Sequence, residues 1–403
     1  MKIYDKITPE GTRDLLFEEC QTIRWVTAQL AEEFKSRGYG EVMTPSIEFF
    51  DVFSANSTYF PQESMYKLID NKGRIIVLRP DMTTPIARLT ATRMKNQTFP
   101  LRFYYNGKVH RVTPSHSGRS DEIFQMGVEL IGANTSRSDL EVIALSGECL
   151  RRINPDAFRI ELGHIGLFQG LVKQLEADDY TKEEIRRYIE AKNYGALNAL
   201  LDKFEGNPAA QALKKLPSLF GGEEVFAQAK ELSVTEDFSD ILDYLRSVYE
   251  SLGRLGLKDK VIIDLGLVNQ GNYYTGVIFR GYLEGIGEPL VSGGRYDNLL
   301  RDFGADLAAT GFGIDINLAV KFLLKNHDFI RPTQSKAIVF GRDGYETKAI
   351  EYVKQLIPEL GQCELSVFDT EEETKDYARK KGIGKLYIVG EDITIVDIGG
   401  EKA

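Results

Sequence analysis

Helical patterning dominates this chain from Asp139 to about Leu257, and strand patterning stands on both sides of it. Segments such as KEEIRRYIEAKNYGALNALLDKF and FSDILDYLRSVYESLGRL carry the helical pattern, with breaks at GNP and GGEE. Residues 165–258 therefore read as a helical insertion in a domain that otherwise contains a sheet. Ahead of it, IIVLRP at 75–80, LRFYYNGKVHRV at 101–112 and IFQMGVELIG at 123–132 are rich in β-branched and aromatic residues and predict strands. Strand character returns in KVIIDLGL, NYYTGVIFRGYLE and EPLVSGG, and GFGIDINLAVKFLLKN reads as a glycine-rich strand running into a helix.

The spacing of Leu15, Leu16, Ile23, Val26, Leu30 and Phe34 predicts an opening amphipathic helix over 14–37, with Gly38 as its stop. GEVMTPSIEFF is extended, and Pro45 argues for an edge or a turn there. After the polar stretch NHDFIRPTQSK, strands AIVFG, ELSVFD and KLYIVG alternate with helices ETKAIEYVKQLIPEL and EEETKDYARKKG. That alternation predicts a small α/β domain with a largely parallel sheet over 331–403, beside a larger domain over 1–325. At 403 residues the chain is long enough for both.

With 50 Lys and Arg against 60 Asp and Glu, the formal charge of −10 offers no general footprint for nucleic acid. Cys20, Cys149 and Cys363 are far apart and in no metal-ligand spacing, so reduced thiols and no metal site are expected. The N-terminus has no apolar signal region and no stretch approaches the roughly 20 apolar residues of a membrane span, which predicts a cytoplasmic protein without a membrane partner.

Three polar clusters interrupt segments that otherwise read as core: Arg79, Asp81 and Thr83 in LRPDMTTPIAR; Arg111 with Gln125 and Glu129; and Asn272, Tyr273 and Tyr274 in GNYYTG. Alternation along 123–132 puts Gln125 and Glu129 on one face. Half-buried groups of this kind cost free energy unless paired. Either they pair with one another, Glu129 with Arg111 for instance, or together they receive a small zwitterion with a flat polar side chain.

The same segments carry a resemblance. LRPDMTTPIAR followed by LRFYYNGKVHRVTPSHSGRSDEIFQMGVELIG resembles motif 2 of class II aminoacyl-tRNA synthetases, specifically histidyl-tRNA synthetase. GYGEVMTPSIEFFDVF resembles motif 1, GTRDLL the family's N-terminal signature, and GGRYDNLLRDFG with GFGIDINLAV motif 3; LGLVNQGNYYTGVIF is similar to the second histidine-binding motif. The resemblance implies an α+β fold, an antiparallel sheet with flanking helices and the helical insertion, and a small C-terminal α/β domain similar to a shortened anticodon-binding domain. By the same resemblance Asp81, standing where the family has Glu, would hold the α-ammonium group of histidine with Thr83 and Gln125. Glu129 would accept from the imidazole, Tyr273 and Tyr274 would line the ring, and Arg111 would be the motif 2 arginine.

The catalytic half of the pattern departs from the family. Asn269 stands in place of an arginine, Leu318 in place of the motif 3 arginine that grips ATP, Asn317 in place of the preceding Glu, and Asp315 in place of a glycine. Thr113 replaces the motif 2 glutamate and Asp121 a basic residue. Each lost guanidinium removes a charge-assisted contact worth about 1.5 to 3 kcal/mol to a triphosphate. Regulatory subunits of ATP phosphoribosyltransferase are the synthetase paralogues with this combination. The resemblance thus implies a non-catalytic subunit without a cofactor of its own, assembling with a short-form catalytic subunit in histidine biosynthesis. L-histidine would be the feedback effector, self-association would give a dimer within a larger hetero-oligomer, and no tRNA is expected. An active histidyl-tRNA synthetase, or a histidine-binding module of another pathway, are the alternatives.

Overall fold

The computed structural model describes residues 4–54, 61–113, 119–232, 236–268, 274–326 and 335–398, and the chain divides into two compact units at Phe329 and Ile330. In chain order the first unit begins with α1 (Phe17–Ser36), β1 (Gly40–Glu41), β2 (Ile47–Phe49), α2 (Asp51–Ser54), β3 (Lys67–Ile69) and β4 (Ile75–Leu78). It continues through α3 (Thr83–Arg93), β5 (Leu101–His110), β6 (Glu122–Ile131), α4 (Ser136–Ile153) and β7 (Phe158–His164). α1 starts at Phe17, three residues later than its apolar spacing suggests, and ends where Gly38 takes a left-handed φ of +79°. That conformation lets Tyr39 N–H reach back to the Phe34 carbonyl.

The inserted helices are α5 (Ile165–Gln174), α6 (Asp179–Glu190), α7 (Tyr194–Leu201), α8 (Pro208–Lys215), α9 (Glu224–Lys230) and α10 (Glu236–Leu252), with the short strand β8 (Phe220–Gly221) between α8 and α9. Asp178, Asn193 and Asn207 cap α6, α7 and α8 by accepting backbone N–H groups, and Pro208 sits at the first position of α8. β9 (Val261–Asp264), β10 (Val277–Leu283), β11 (Val291–Arg295), β12 (Ala309–Asp315) and α11 (Ile316–Lys325) complete the unit. RYDNLLRDFG forms a 3-10 turn, Leu299–Phe303, rather than an α-helix.

Nine strands assemble in the order β1-β5-β6-β12-β11-β10-β7-β9-β8, antiparallel except for the β1–β5 and β7–β9 pairs. The β5–β6 hairpin pairs Leu101 with Ile131 through His110 with Glu122, and β12 pairs with β6 from Ala309 opposite Ile131 to Asp315 opposite Gln125. Alternation then sorts the two faces. Met126, Val128 and Leu130 face a core built with α1, α4 and α11, while Gln125, Gly127 and Glu129 face the other way. On that second face, α3 and the 299–303 turn enclose a smaller cluster that includes Met82, Ile86, Tyr105 and Tyr296. A separate three-stranded sheet, β2-β4-β3, lies outside.

One buried ion pair joins distant parts of this unit. The Arg295 guanidinium at the end of β11 donates to Asp139 of α4 at 2.8 Å, and also to Ser138 Oγ and Asp297. Tyr244 of the inserted α10 donates to the same Asp139 carboxylate at 2.7 Å. Sheet, α4 and insertion are thereby fixed to a single carboxylate.

The second unit contains β13 (Ala337–Gly341), α12 (Glu346–Leu360), β14 (Cys363–Leu365), α13 (Glu371–Lys381), β15 (Lys385–Val389) and β16 (Ile393–Asp397), in sheet order β14-β13-β15-β16. β13 is parallel to both β14 and β15, and the helices pack two clusters on opposite faces. β16, antiparallel to β15, is an addition to the pattern read from the sequence; with Ile393, Thr394 and Ile395 exposed, it lacks the apolar burial that marks a strand. Glu371, Glu372 and Glu373 in the first turn of α13 and Arg379, Lys380 and Lys381 in the last complement its helix dipole, and Thr370 caps it by accepting Glu373 N–H while its hydroxyl donates to Glu373 Oε2.

Breaking the Arg295–Asp139 pair from one side leaves a buried charge uncompensated. Arg295→Met is expected to lower stability by about 3 to 5 kcal/mol, read as a reduced urea midpoint by circular dichroism.

Candidate functional site

The polar face of β6 is possible because its neighbours lack side chains. A Cβ on Gly311, directly opposite Glu129, would lie 2.0 Å from Glu129 Oε2 and 2.4 Å from the Val128 carbonyl. One on Gly313 would lie 2.8 Å from Gln125 Nε2, and one on Gly127 would lie 2.1 Å from the Phe312 carbonyl and 2.4 Å from the Tyr105 hydroxyl. The glycine-rich strand thus forms a floor over which Glu129, Gln125 and Tyr105 lie flat.

Glu129 is 1% exposed. Thr83 Oγ1, in the first turn of α3, donates to its Oε1 at 2.6 Å, and the Tyr296 hydroxyl donates to its Oε2 in a short hydrogen bond. Burial, which these two donors only partly offset, pushes the Glu129 carboxyl up to about 8, and the like charge of Asp81 adds to the rise. Asp81 is also buried and raised by burial; the Thr84 N–H and hydroxyl, donating at 2.7 and 2.9 Å, and the Arg111 charge oppose the rise. Burial raises Tyr105 and Tyr274 as well, with the Glu129 charge as the next cause for both. Tyr105 donates to Gln125 Oε1 at 3.5 Å.

Asp81, Thr83, Arg111, Gln125, Glu129 and Tyr274 therefore surround one region, but not with the pairings expected. Glu129 bonds Thr83 and Tyr296 rather than Arg111, and Thr83 serves Glu129 rather than standing with Asp81. The Asp81 carboxylate fastens the first turn of α3 through Thr84. Arg111 Nε donates to the Pro80 carbonyl at 2.7 Å. Arg79 is a strut, donating to the carbonyls of Thr44, Pro45 and Lys108. Tyr273, and with it Asn269 and Asn272, lies outside the described residues. Tyr105 and Tyr296 were missed: Tyr105 reads as one more aromatic in an apolar strand, and only its position in GGRYDN, just after a strand, marks Tyr296.

Beside this region runs a groove of about 560 Å³ lined by Arg13, Arg111, Arg119 and Lys321, but also by Glu19, Glu288 and Asp315, with Ile23, Leu318 and Leu324 among its apolar walls. Arg13 pairs with Glu19 at 2.6 Å and Arg119 with Glu288 at 2.9 Å, so two of the four cations already have carboxylate partners. Asp315 is the cap of α11, accepting Leu318 N–H at 3.0 Å, and burial raises its carboxyl. Asn317 bridges to β6, accepting Phe124 N–H and donating to the Glu122 carbonyl, both at 3.1 Å. Asp121 accepts the Thr113 N–H at 2.9 Å and hydroxyl at 2.6 Å, and the Tyr66 hydroxyl as well. Its own N–H donates to the carbonyl of Gly11, which has a φ of +77° and on which a Cβ would lie 2.4 Å from Asp121 Cγ.

The histidyl-tRNA synthetase family profile matches residues 11–318 of this chain. ATP phosphoribosyltransferase regulatory subunits of Clostridium kluyveri, Clostridium botulinum and Bacillus cereus are 40%, 38% and 37% identical to it, covering 96%, 100% and 100% of this chain and 100%, 96% and 96% of their own lengths. The crystal structure of an ATP phosphoribosyltransferase regulatory subunit/histidyl-tRNA synthetase from Bacillus halodurans C superposes with a TM-score of 0.82 at 32% identity, over 93% of this chain and 97% of that one. A histidyl-tRNA synthetase from Nostoc sp. PCC 7120, 21% identical over 97% of each chain with a TM-score of 0.77, shares the fold. The first unit is thus a class II aminoacyl-tRNA synthetase-like fold of mixed helix and mostly antiparallel sheet. The chain belongs to the histidyl-tRNA synthetase family, within its branch of ATP phosphoribosyltransferase regulatory subunits.

Because the folded protein holds a proton on Glu129 that the unfolded chain releases above about pH 4.5, stability is expected to fall as pH rises from there through about 8. Glu129→Gln, which imitates the protonated acid, should flatten that decline in thermal melts at pH 6 to 8.5. Gly311→Ala should cost at least about 2 kcal/mol by overpacking, seen as a lowered urea midpoint.

Proposed function

We propose that this chain is the non-catalytic regulatory subunit of ATP phosphoribosyltransferase, acting with a separate short-form catalytic subunit at the first step of histidine biosynthesis and carrying feedback inhibition by histidine. The observation that carries the reading is an asymmetry between two neighbouring sites. A buried constellation of Glu129, Asp81, Thr83, Gln125, Arg111 and Tyr274 offers carboxylates, one cation and aromatic surface suited to an amino acid with a flat, hydrogen-bonding ring. In the adjoining groove two of the four cations are already paired with carboxylates, and Leu318 stands where a guanidinium would be needed by a triphosphate.

Residues at the lost catalytic positions have other work. Asp315 caps a helix, Asn317 ties that helix to β6, and Asp121 accepts from Thr113 and donates its N–H to Gly11. Restoring one arginine at Leu318 would therefore leave the site without adenylation. Feedback requires histidine to bind two forms of the complex unequally, and a difference of 1 to 3 kcal/mol, about 5 to 150-fold, is enough. Mixing the purified chain with a short catalytic subunit should raise the phosphoribosyltransferase rate at least tenfold, and histidine should suppress that gain. Glu129→Ala should keep the gain and lose the suppression. No gain on mixing, or histidine-dependent ATP/pyrophosphate exchange by this chain alone, would overturn the reading.

Self-association fits the outer face of the three-stranded sheet. Ile47, Phe49 and Leu68 are 49%, 42% and 44% exposed, and Phe49 and Leu68 flank Ile76 across the pairing. Met43, in the same motif 1 segment, is 78% exposed. A row of this kind on a two-fold axis would be covered by its own copy. Phe49→Asp is expected to halve the mass measured by analytical ultracentrifugation; an unchanged mass would exclude this face. The charge of −10 and the dipole-matched α13 supply no basic surface for tRNA, and none is expected to bind.

A further inference from the structure

The polar face of the nine-stranded sheet continues beyond the enclosure toward β7, β9 and β8. Arg280 of β10 stands directly opposite Glu161 of β7, and the pairing of β7 with β9 sets Asp264 on the same face. These three side chains and Lys192, from the turn between α6 and α7, line a cavity of about 300 Å³ whose apolar walls include Ile189, Pro217, Phe220 and Leu267. Paired strands hold Glu161 and Arg280 with Cβ atoms about 5 Å apart, close enough for their charges to meet. They do not meet: Arg280 Nη2 donates to the Val268 carbonyl at 2.8 Å instead. Asp264 accepts the Gly266 N–H at 2.9 Å, and Glu161, Arg280 and Lys192 all act on its charge from a distance. Among the described residues none of the four forms an ion pair, whereas Glu190, the cavity's remaining charged residue, is paired with Arg186 at 2.7 Å. Lys192 is also held in a strained conformation. It follows the end of α6 with a left-handed φ of +52°, where glycine is the usual residue. A lysine within the last turn would complement the helix dipole equally without that strain.

Half-buried charges kept apart around a partly apolar cavity cost free energy unless a ligand or solvent meets them. Glu161 and Asp264 against Arg280 and Lys192 leave no net charge, so the cavity favours a dipolar molecule over a plain anion or cation. We propose that it is a binding site for a zwitterionic amino acid with an apolar side chain. The ammonium group lies between Asp264 and Glu161, the carboxylate between Arg280 and Lys192, and the side chain against the apolar walls. A volume of about 300 Å³ is at the small end for ligand pockets, in keeping with a molecule of that size. The cavity shares no lining residue with the enclosure around Glu129, and its occupant does not depend on what that enclosure binds. A cavity that recognised apolar shape alone would be indifferent to the ligand's two charges, and a solvated row of surface charges would hold no ligand.

Isothermal titration calorimetry of the full chain with L-leucine and L-phenylalanine, beside N-acetyl-L-leucine and L-leucinamide, tests this. At least one of the two amino acids is expected to bind with a Kd of about 1 mM or tighter. Each blocked compound lacks one of the two charges and should bind about tenfold more weakly or worse. Lys192→Gly relieves the left-handed backbone, so its melting temperature by circular dichroism should hold or rise while its affinity for the amino acid falls about tenfold. A lysine with only a structural role would give no loss of affinity. Asp264→Asn should weaken binding of the free amino acid toward that of its N-acetyl form. Binding of neither amino acid at that level would overturn the proposal. So would blocked compounds that bind as tightly as the free amino acids, or an unchanged affinity in Lys192→Gly, which would place the ligand elsewhere.

Discussion

A sheet whose central strands carry an apolar face and a polar face must be covered twice, by different means. Met126, Val128 and Leu130 of β6 are covered by the long helices α1, α4 and α11, where burial of apolar side chains is the driving term. Gln125 and Glu129 on the other face can be covered only where their polar atoms find donors. Thr83 at the start of α3 and Tyr296 after β11 donate to Glu129, Tyr105 donates to Gln125, and glycines at 127, 311 and 313 leave space for the side chains to lie across neighbouring strands. The placement of α3 and the position of the 299–303 turn follow from that requirement.

The same economy explains how a synthetase-like fold becomes catalytically silent without losing stability. Residues that we propose stand at lost nucleotide-binding positions serve the fold here. Asp315 satisfies an exposed N–H at the start of α11, Asn317 satisfies two backbone groups of β6, and Asp121 gathers Thr113, Tyr66 and Gly11. Of the cations in the groove, Arg13 and Arg119 are paired with carboxylates and Arg111 Nε is held by a carbonyl, which weakens the field the groove offers a triphosphate. Activity of this chain would therefore need several concerted changes, each of which breaks a hydrogen bond the fold now uses.

The adjacency of Arg295 and Tyr296 places two of the unit's main tethers on consecutive residues. Arg295 turns to Asp139, which also receives Tyr244 from the insertion, while Tyr296 turns to Glu129. The contacts to Glu129 and to the insertion thus share one short stretch of backbone.

Periodicity and residue chemistry were enough to read most of the elements and the shared face of Gln125 and Glu129, because alternation and helical spacing are local properties. The motifs were enough to read the family. Pairing was not legible. Asp81 and Thr83 are adjacent in the chain yet turn to different partners, since the first turn of α3 directs one to Thr84 and the other across to β6. β16 carried no signal because its register with β15, not its burial, makes it a strand. What the amino-acid order determined by itself was which groups had to be satisfied: two carboxylates, a guanidinium and several hydroxyls set in apolar segments. Which donor met which acceptor was decided only by the tertiary structure, because hydrogen bonds depend on strand register and helix placement, which bring together residues 46 and 167 positions apart.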